Sequence, residues 1–292
     1  MKYILLIGVI IFLCIIPEVR VFLLNPIKSI YNSIIDVFKY FKYKKYNNYN
    51  GFGQLNIFCG LFGKGKSLSM VKYLDDIYKH YNNLDVWNNE KKVFEKQTIT
   101  ILTNLELYIP HLKLYQMSDI LKYIEDKSRS QSNILIVAID EMSTQLNSRD
   151  FKNNFNNDLL NLLLTCRHYK IEIVGTSQRF NHVDALVRQV TSNVIEVNKI
   201  WRGLIWRYYD AYALENCNNP LTIQPKFIKT HFVLNKHYAL YNTLAVVENF
   251  KDNFKKGLCL TDSEILENRN INYFNAEKID KKGNRRKIKN VC

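Results

Sequence analysis

Cysteine pairs at metal-ligand spacing are absent from this chain of 292 residues. Its six cysteines are scattered, with no C-x-x-C and no histidine pair at ligand spacing, so neither a zinc site nor a disulfide framework is predicted. Cys59 and Cys166 lie in apolar runs and are expected to be core residues in a reducing compartment. Glycine and proline are scarce, at 10 and 5 residues, a bias that an AT-rich genome imposes.

Acidic residues are also few relative to basic ones. The 27 acidic residues face 41 lysines and arginines, which leaves a net charge of +14. Such an excess indicates an anionic partner, either nucleic acid or an anionic membrane face, unless it is only a basic solvated surface. An apolar fraction of 47% argues against wholesale disorder, and the length suits one good-sized domain with appendages or two small domains.

Residues 60–67, GLFGKGKS, match the phosphate-binding pattern G-x-x-x-x-G-K-[ST]. A strand-length apolar run precedes them and a segment with helical spacing follows, whereas a glycine turn that happens to fit is the alternative. Glycines let backbone N–H groups curl around a polyphosphate, and the helix start adds its positive dipole end. Lys66 is expected to reach the phosphates and Ser67 to ligate Mg²⁺. The predicted nucleotide-binding residues are Gly60, Gly63, Lys64, Gly65, Lys66, Ser67 and Leu68.

A second apolar run, residues 134–139, ends in Asp140 and Glu141. Its lack of alternation predicts a strand buried on both faces of a parallel sheet. Asp140 is predicted to hold Mg²⁺ through its water shell, and Glu141 to polarise the attacking water as a general base. The loop and the acid pair, expected on neighbouring strands, together predict ATP hydrolysis; a nucleotide switch without turnover is the alternative.

Three further residues are candidates for the site. Gln178 follows a predicted strand (171–176) beside the strand of the phosphate-binding loop, where a polar side chain can sense the γ-phosphate. Arg167, at the end of a predicted helix (158–169), is a candidate arginine finger for a neighbouring subunit, or else a charge that caps its helix. Arg188 on a predicted helix (183–191) is a second candidate. Residues 98–103 are predicted as a strand and residues 111–130 as a helix.

The N-terminus predicts a membrane anchor. Residues 3–16 carry no charge, and residues 21–24 extend this run to spanning length. A cleaved signal peptide is the rival reading. Five lysines between residues 28 and 45 outnumber Lys2, so the bulk of the chain is expected in the cytoplasm. The next segment has an apolar stripe at helical spacing that either lies on an anionic membrane or packs on the protein itself: Ile27, Ile30, Tyr31, Ile34, Phe38 and Phe41.

Several motifs resemble the zonular occludens toxin-like (Zot-like) family of P-loop ATPases, which includes the filamentous phage assembly protein. They are GLFGKGKS at 60–67, TNLEL at 103–107, IVAIDE at 136–141 and CRHYKIEIVGTSQRFNHVDALVR at 166–188. The resemblance implies an α/β P-loop NTPase of RecA/FtsK-HerA type with a mostly parallel central sheet, here preceded by a hydrophobic membrane helix. It implies ATP and Mg²⁺ as cofactors, and a homo-oligomeric ring that drives extrusion of a filamentous single-stranded DNA phage.

One departure from that family concerns the membrane. Its phage assembly proteins generally place the span after the ATPase, whereas after Tyr212 this chain has no run of 18 apolar residues. No secretin partner is expected, and the pattern looks more like the short filamentous viruses of wall-less bacteria such as spiroplasmas. The implied partners are phage coat protein, single-stranded DNA and host membrane lipids.

The predicted domains are a transmembrane anchor (1–26), a basic amphipathic helix and linker (27–53), a P-loop ATPase domain (54–215), a C-terminal extension (216–274) and a basic, disordered tail (275–292). Residues 200–213 alternate aromatic and basic residues and predict a hairpin, whose aromatics either pack in the core or stack on single-stranded bases. Two other functions fit the same motifs: an FtsK/HerA-like pump for double-stranded DNA, and a nucleotide-gated membrane scaffold without turnover.

Overall fold

The computed structural model describes residues 24–115, 118–125, 132–145, 163–217, 219, 222–241, 277–279 and 285–287. Seven α-helices are named in these ranges: α1 Pro26–Lys42, α2 Lys66–Tyr81, α3 Ser118–Glu125, α4 Met142–Gln145, α5 Ala185–Val190, α6 Ala211–Asn216 and α7 Asn235–Tyr238. The strands are β1 Leu55–Cys59, β2 Asp85–Asn88, β3 Val93–Lys96, β4 Thr98–Thr103, β5 Leu112–Lys113, β6 Asn133–Ile139, β7 Ile171–Ser177, β8 Asn193–Ile200, β9 Gly203–Asp210, β10 Phe227–Phe232, β11 Glu277–Ile279 and β12 Arg285–Lys287. Short 3-10 helices cover Lys45–Asn47 and Phe180–His182.

A sheet of eight strands forms the centre of the fold, in the order β10-β9-β8-β1-β7-β6-β4-β5. The six strands from β8 to β5 in this order run parallel, and β9 is antiparallel to both of its neighbours. The predicted mostly parallel α/β sheet is therefore confirmed. The parallel strands place the residues after β1, β4, β6 and β7 at one edge of the sheet, where ligands of such folds bind.

The sheet is buried on both faces, as the unalternating apolar strands predict. Every residue of β1 is buried, and residues 134–139 of β6 are 0–3% exposed. Successive residues of each strand enter opposite hydrophobic clusters: Ile57 and Ile173 belong to one, Phe58 and Val174 to the other. The core of this part of the chain therefore lies on both faces of the sheet.

The described chain divides into two compact units, Met1–Asn48 with Asp85–Glu95, and Tyr49–Leu84 with Lys96–Cys292. The first unit contains α1, a 3-10 helix and the β2–β3 pair. Within it Trp87 contacts Tyr43 and Phe94 through their rings, and Lys44 lies 3.7 Å from an Asp85 carboxylate oxygen. The second unit contains the eight-stranded sheet.

Two segments differ from their predictions. Within the range predicted as a helix (111–130), Leu112–Lys113 form a strand and helix α3 begins only at Ser118. Leu112 and Leu114 are both buried with Lys113 between them, an alternation of period two that fits a strand. The predicted linker before β1 contains the 3-10 helix Lys45–Asn47, and its Tyr49 side chain is 5% exposed. The polar composition of this segment predicts a linker, although the segment contains a short helix and a buried tyrosine.

The chain beyond residue 200 extends the sheet. The hairpin predicted within residues 200–213 begins earlier: its first strand is β8, its turn is at residues 201–202, and its second strand is β9. Residues 211–213 already belong to α6. Trp206 and Tyr208 are buried, which confirms the core role for these two aromatics, while Trp201 is exposed. β10 adds a further strand beyond residue 215, and β11 and β12 pair antiparallel in the predicted tail.

The predicted membrane anchor lies outside the described residues as far as residue 23, as does part of the predicted helix 158–169. Among the helices that the structure does describe, none is both long enough and apolar enough to cross a bilayer.

Candidate functional site

The phosphate-binding loop joins β1 to α2 and is shaped by two glycines with positive φ. Gly63 has φ 73° and Gly65 has φ 82°, values that other residues rarely adopt. Gly65 caps the N-terminus of α2, and the first intrahelical bond runs from the Ser69 amide to the Gly65 carbonyl at 2.8 Å. The amides of Lys66, Ser67 and Leu68 therefore precede any intrahelical acceptor. Together with the helix dipole they form a site suited to phosphate.

The two lysines of the loop point in different directions. The Lys66 ammonium donates to the Leu61 carbonyl at 3.2 Å and lies 5.6 Å from the centre of the Phe62 ring. Lys64 donates to the Asn198 side chain at 3.2 Å. Lys66 is thus held over its own loop, where a phosphate group would replace the carbonyl as its partner. Leu68 is 3% exposed, so only its backbone amide is available to a nucleotide.

Asp140 lies directly against the loop helix. The Ser67 hydroxyl is 2.9 and 3.0 Å from the two Asp140 carboxylate oxygens, and Asp140 is 5% exposed. The two predicted metal-binding residues are therefore brought together. The sequence predicts that the acid pair follows a strand next to β1, and this prediction is wrong. The acid pair follows β6, and β7 lies between β1 and β6. Two strand spacings separate the ends of β1 and β6 by about 10 Å, and Ser67 and Asp140 meet across this gap.

Two residues without a predicted role hold Asp140 in place. The Thr176 hydroxyl, at the end of β7, donates to the Asp140 carboxylate at 2.6 Å. The Asn104 side chain accepts from the Asp140 amide at 2.8 Å and donates to the Asp140 carbonyl at 3.1 Å. Both belong to motifs that carry the family resemblance: Asn104 lies in TNLEL at 103–107, and Thr176 lies in the motif at 166–188. Polar residues at the ends of parallel strands were the signal that could have identified them.

Glu141 has a left-handed backbone. Its φ is 50°, a conformation that costs a non-glycine residue about 1–2 kcal/mol, and its amide donates to the Thr176 hydroxyl at 2.9 Å. Glu141 is exposed and lies at the edge of the sheet, just before α4 begins. Strained residues of this kind concentrate at functional sites. Thr176 therefore fixes both members of the acid pair.

Gln178 and Arg167 lie at opposite ends of β7. Gln178 follows β7 at the edge that carries the phosphate-binding loop, and β7 pairs directly with β1, as predicted for the sensor position. Arg167 precedes β7, beside Gly53, and is exposed. Seven residues of strand separate the two edges by about 20 Å. The structure thus does not bring Arg167 to the site of its own chain, and its role toward a neighbouring subunit remains a prediction.

Arg188, the second arginine candidate, is held within its own unit. It donates to the Glu215 carboxylate at 2.7 Å and to the carbonyls of Asn181 and Val183. These bonds tie α5 to α6 and to the 3-10 helix before α5.

A buried acid lies near the start of β7. Glu172 is fully buried and accepts hydrogen bonds from Tyr49, from Asn56 at 2.8 Å and from Tyr73 at 2.6 Å. Burial raises the Glu172 pKa to about 7, although the three hydrogen bonds lower it. This group, which we call the Glu172 cluster (Glu172, Tyr49, Asn56, Tyr73), joins β7, β1, α2 and the segment before β1. Nothing in the linear sequence pointed to it.

The donor set of the site fits a magnesium ion bound together with a triphosphate. A serine hydroxyl and a carboxylate are the oxygen ligands that Mg²⁺ takes from a protein when phosphate supplies others. Among the described residues there is no group of three or more His, Cys, Asp or Glu side chains able to hold a metal ion by themselves. Burial raises the pKa of the Cys59 thiol, at the start of the loop, to about 12, so it is protonated at neutral pH.

Comparison with known proteins gives structural neighbours only. No protein-family model and no curated protein matches the chain. The N-terminal domain of zonular occludens toxin from Neisseria meningitidis is 17% identical, with TM-score 0.43 over 65% of this chain and 98% of that one. The Zot domain is thus among the chain's structural neighbours. It is the family that the sequence motifs resemble.

Two other kinds of neighbour are ATPases. B204, the DNA-packaging ATPase of Sulfolobus turreted icosahedral virus, is 11% identical, with TM-score 0.40 over 64% of this chain and 100% of B204. EssC (ATPases 2 and 3) from Geobacillus thermodenitrificans is 15% identical, with TM-score 0.35 over 75% of this chain and 44% of EssC. At such low identities and TM-scores, residue roles rest on the geometry of the site alone.

Proposed function

We propose that the chain binds ATP with Mg²⁺ at the edge of the sheet and hydrolyses it. The contact between Ser67 and Asp140 beside the phosphate-binding loop is the observation that carries this proposal. The loop amides and Lys66 bind and orient the phosphates, and Ser67 and Asp140 hold the metal ion. Bound Mg²⁺ supplies positive charge that neutralises the phosphate oxygens. Glu141 accepts a proton from the attacking water, and Gln178 positions the γ-phosphate.

The test compares Glu141→Gln and Lys66→Ala with the unaltered chain. Glu141→Gln should retain ATP while its kcat falls by about 10²–10⁴-fold, because the amide cannot accept the proton. Lys66→Ala should lose nucleotide binding. Glu90→Gln, at an exposed position between β2 and β3, is the matched control and should leave both quantities unchanged. Wild-type turnover in the Glu141→Gln variant would contradict the assignment.

The finer proposal is a motor that extrudes a filamentous single-stranded DNA phage through the host membrane, anchored by residues 1–26. Its support is the motif resemblance, the net charge of +14 and the apolar N-terminal run. Working as a homo-oligomeric ring, it would act on single-stranded DNA or coat protein. ATPase stimulation by coat protein or single-stranded DNA, and not by duplex DNA, is expected.

Two alternatives have distinct outcomes in these assays. Stimulation by duplex DNA alone would favour an FtsK/HerA-like pump for double-stranded DNA. A nucleotide-gated scaffold would bind ATP without turnover, and phage release would continue in cells that carry Glu141→Gln. A motor stops in the same cells.

A further inference from the structure

Helix α1 presents an exposed apolar face. None of its 17 residues is buried. Seven large apolar side chains are each 57–82% exposed: Ile27, Ile30, Tyr31, Ile34, Val37, Phe38 and Phe41. At 100° per residue they fall on one side of the helix, within about a third of its circumference. Single exposed apolar residues are ordinary, but a continuous face of this size marks a binding surface.

Positive charge borders this face. On the helical projection Lys28, Lys39 and Lys42 lie along one flank of the apolar residues, and Lys44 and Lys45 follow the helix end. Asp36, on the opposite side, is the one acid between residues 26 and 45. An apolar face flanked by lysines is the arrangement of helices that lie in the interface of an anionic bilayer.

We propose that α1 lies flat on an anionic membrane surface, with its apolar face among the acyl chains and its lysines at the lipid phosphates. Charge complementarity favours lipid phosphate, and the uncharged residues 3–16 earlier in the chain bring the helix to the same membrane if they form the proposed anchor. The opposite face of α1 is polar, so the helix lies along the surface and does not span. The inference does not depend on ATP hydrolysis.

The experiment places a fluorophore on either side of α1 in the full-length protein. Phe38→Cys puts an environment-sensitive NBD label on the apolar face, and Asn32→Cys puts it on the polar face as the matched control. The other accessible cysteines are replaced by serine. The labelled chains are reconstituted into vesicles of phosphatidylcholine with phosphatidylglycerol, and into phosphatidylcholine vesicles alone. Quenching by brominated lipids reports contact with acyl chains, and ATPase activity reports an intact second unit.

In anionic vesicles the label at position 38 should shift to the blue and be quenched by brominated lipids, while the label at position 32 should remain in water. Replacing Lys28, Lys39 and Lys42 by glutamine should weaken surface partitioning about fivefold for each lysine, which corresponds to about 1 kcal/mol each. Labels at both positions that remain in water would overturn the proposal. So would a blue shift at position 38 without lipid quenching, which indicates a protein surface, or equal burial in neutral vesicles. ATPase activity unchanged in these cases would leave the proposed hydrolysis standing.

Discussion

At the scale of single residues, the site depends on one threonine. Thr176 donates to Asp140 and accepts from the amide of Glu141, so one hydroxyl orients the proposed metal-binding acid and the backbone of the proposed general base. Asp140 and Thr176 are both nearly inaccessible to water. A buried carboxylate that loses a donor keeps its full desolvation cost.

Thr176→Val removes this hydroxyl and keeps the shape of the side chain. We expect it to lower the free energy of unfolding by about 1–3 kcal/mol, because it leaves buried polar groups without a partner. It should also lower kcat more than it changes KM. Urea denaturation and steady-state ATPase assays measure the two effects. Thr176→Ser keeps the hydroxyl and is the control; equal losses in both variants would show that the hydroxyl does not carry the effect.

At the scale of elements, β7 connects the nucleotide edge of the sheet to the Glu172 cluster. Tyr73 on α2 and Tyr49 before β1 both donate to Glu172, four residues before Thr176. A Glu172 pKa of about 7 in the folded chain, above the ordinary value of 4.5, means that the folded state binds the proton more tightly than the unfolded state. The stabilisation is complete below about pH 4.5 and is lost as the pH rises to about 7.

We therefore expect the free energy of unfolding to fall between pH 5 and 7 by up to about 3 kcal/mol because of Glu172. Glu172→Gln does not titrate and should have a flatter pH profile in this range. Urea denaturation at several pH values measures the slope. Glu215→Gln, at a half-buried ion pair with Arg188, is the control and should keep the wild-type slope. Parallel profiles of Glu172→Gln and wild type would show that another group titrates.

The sequence predicts elements with strong local signals and misses contacts that depend on strand order. The phosphate-binding loop, the acid pair and the strand before Gln178 are each a contiguous motif. The structure has a loop or strand where each motif predicts one, although the strand before the acid pair is not next to β1. No local sequence pattern indicates that β7 lies between β1 and β6. The hydrogen bonds of Thr176 and of Glu172 could therefore not be predicted. Leu112 was misread because a four-residue alternation is too short to outweigh the helix-like segment that follows.

At the scale of the whole molecule, Arg167 raises the question of oligomeric state. It lies about 20 Å from the site of its own chain, a distance set by the length of β7. If it acts as an arginine finger, it completes a site on a neighbouring copy, and activity then belongs to the assembly.

Mixed assemblies test this role. Arg167→Ala and Lys66→Ala should each be inactive alone, since one lacks the finger and the other lacks nucleotide binding. When the two variants are mixed and reassembled, part of the ATPase activity should return. Some Arg167→Ala subunits, whose nucleotide site is intact, then lie beside a Lys66→Ala subunit that supplies Arg167. Mixing Lys66→Ala with Glu141→Gln is the control and should stay inactive, as both defects lie in one site. Wild-type turnover of Arg167→Ala alone would rule out the arginine-finger role.

The last strand of the sheet has a consequence for handling this protein. In the part of the chain that the structure describes, nothing pairs with the outer side of β10, and its Phe227, Ile228 and Phe232 are exposed. Exposed apolar edges invite copies to polymerise into fibres, and a lysine in mid-strand is a common safeguard. Lys229 occupies that position here, so replacing it with an uncharged residue should make concentrated samples more prone to aggregate.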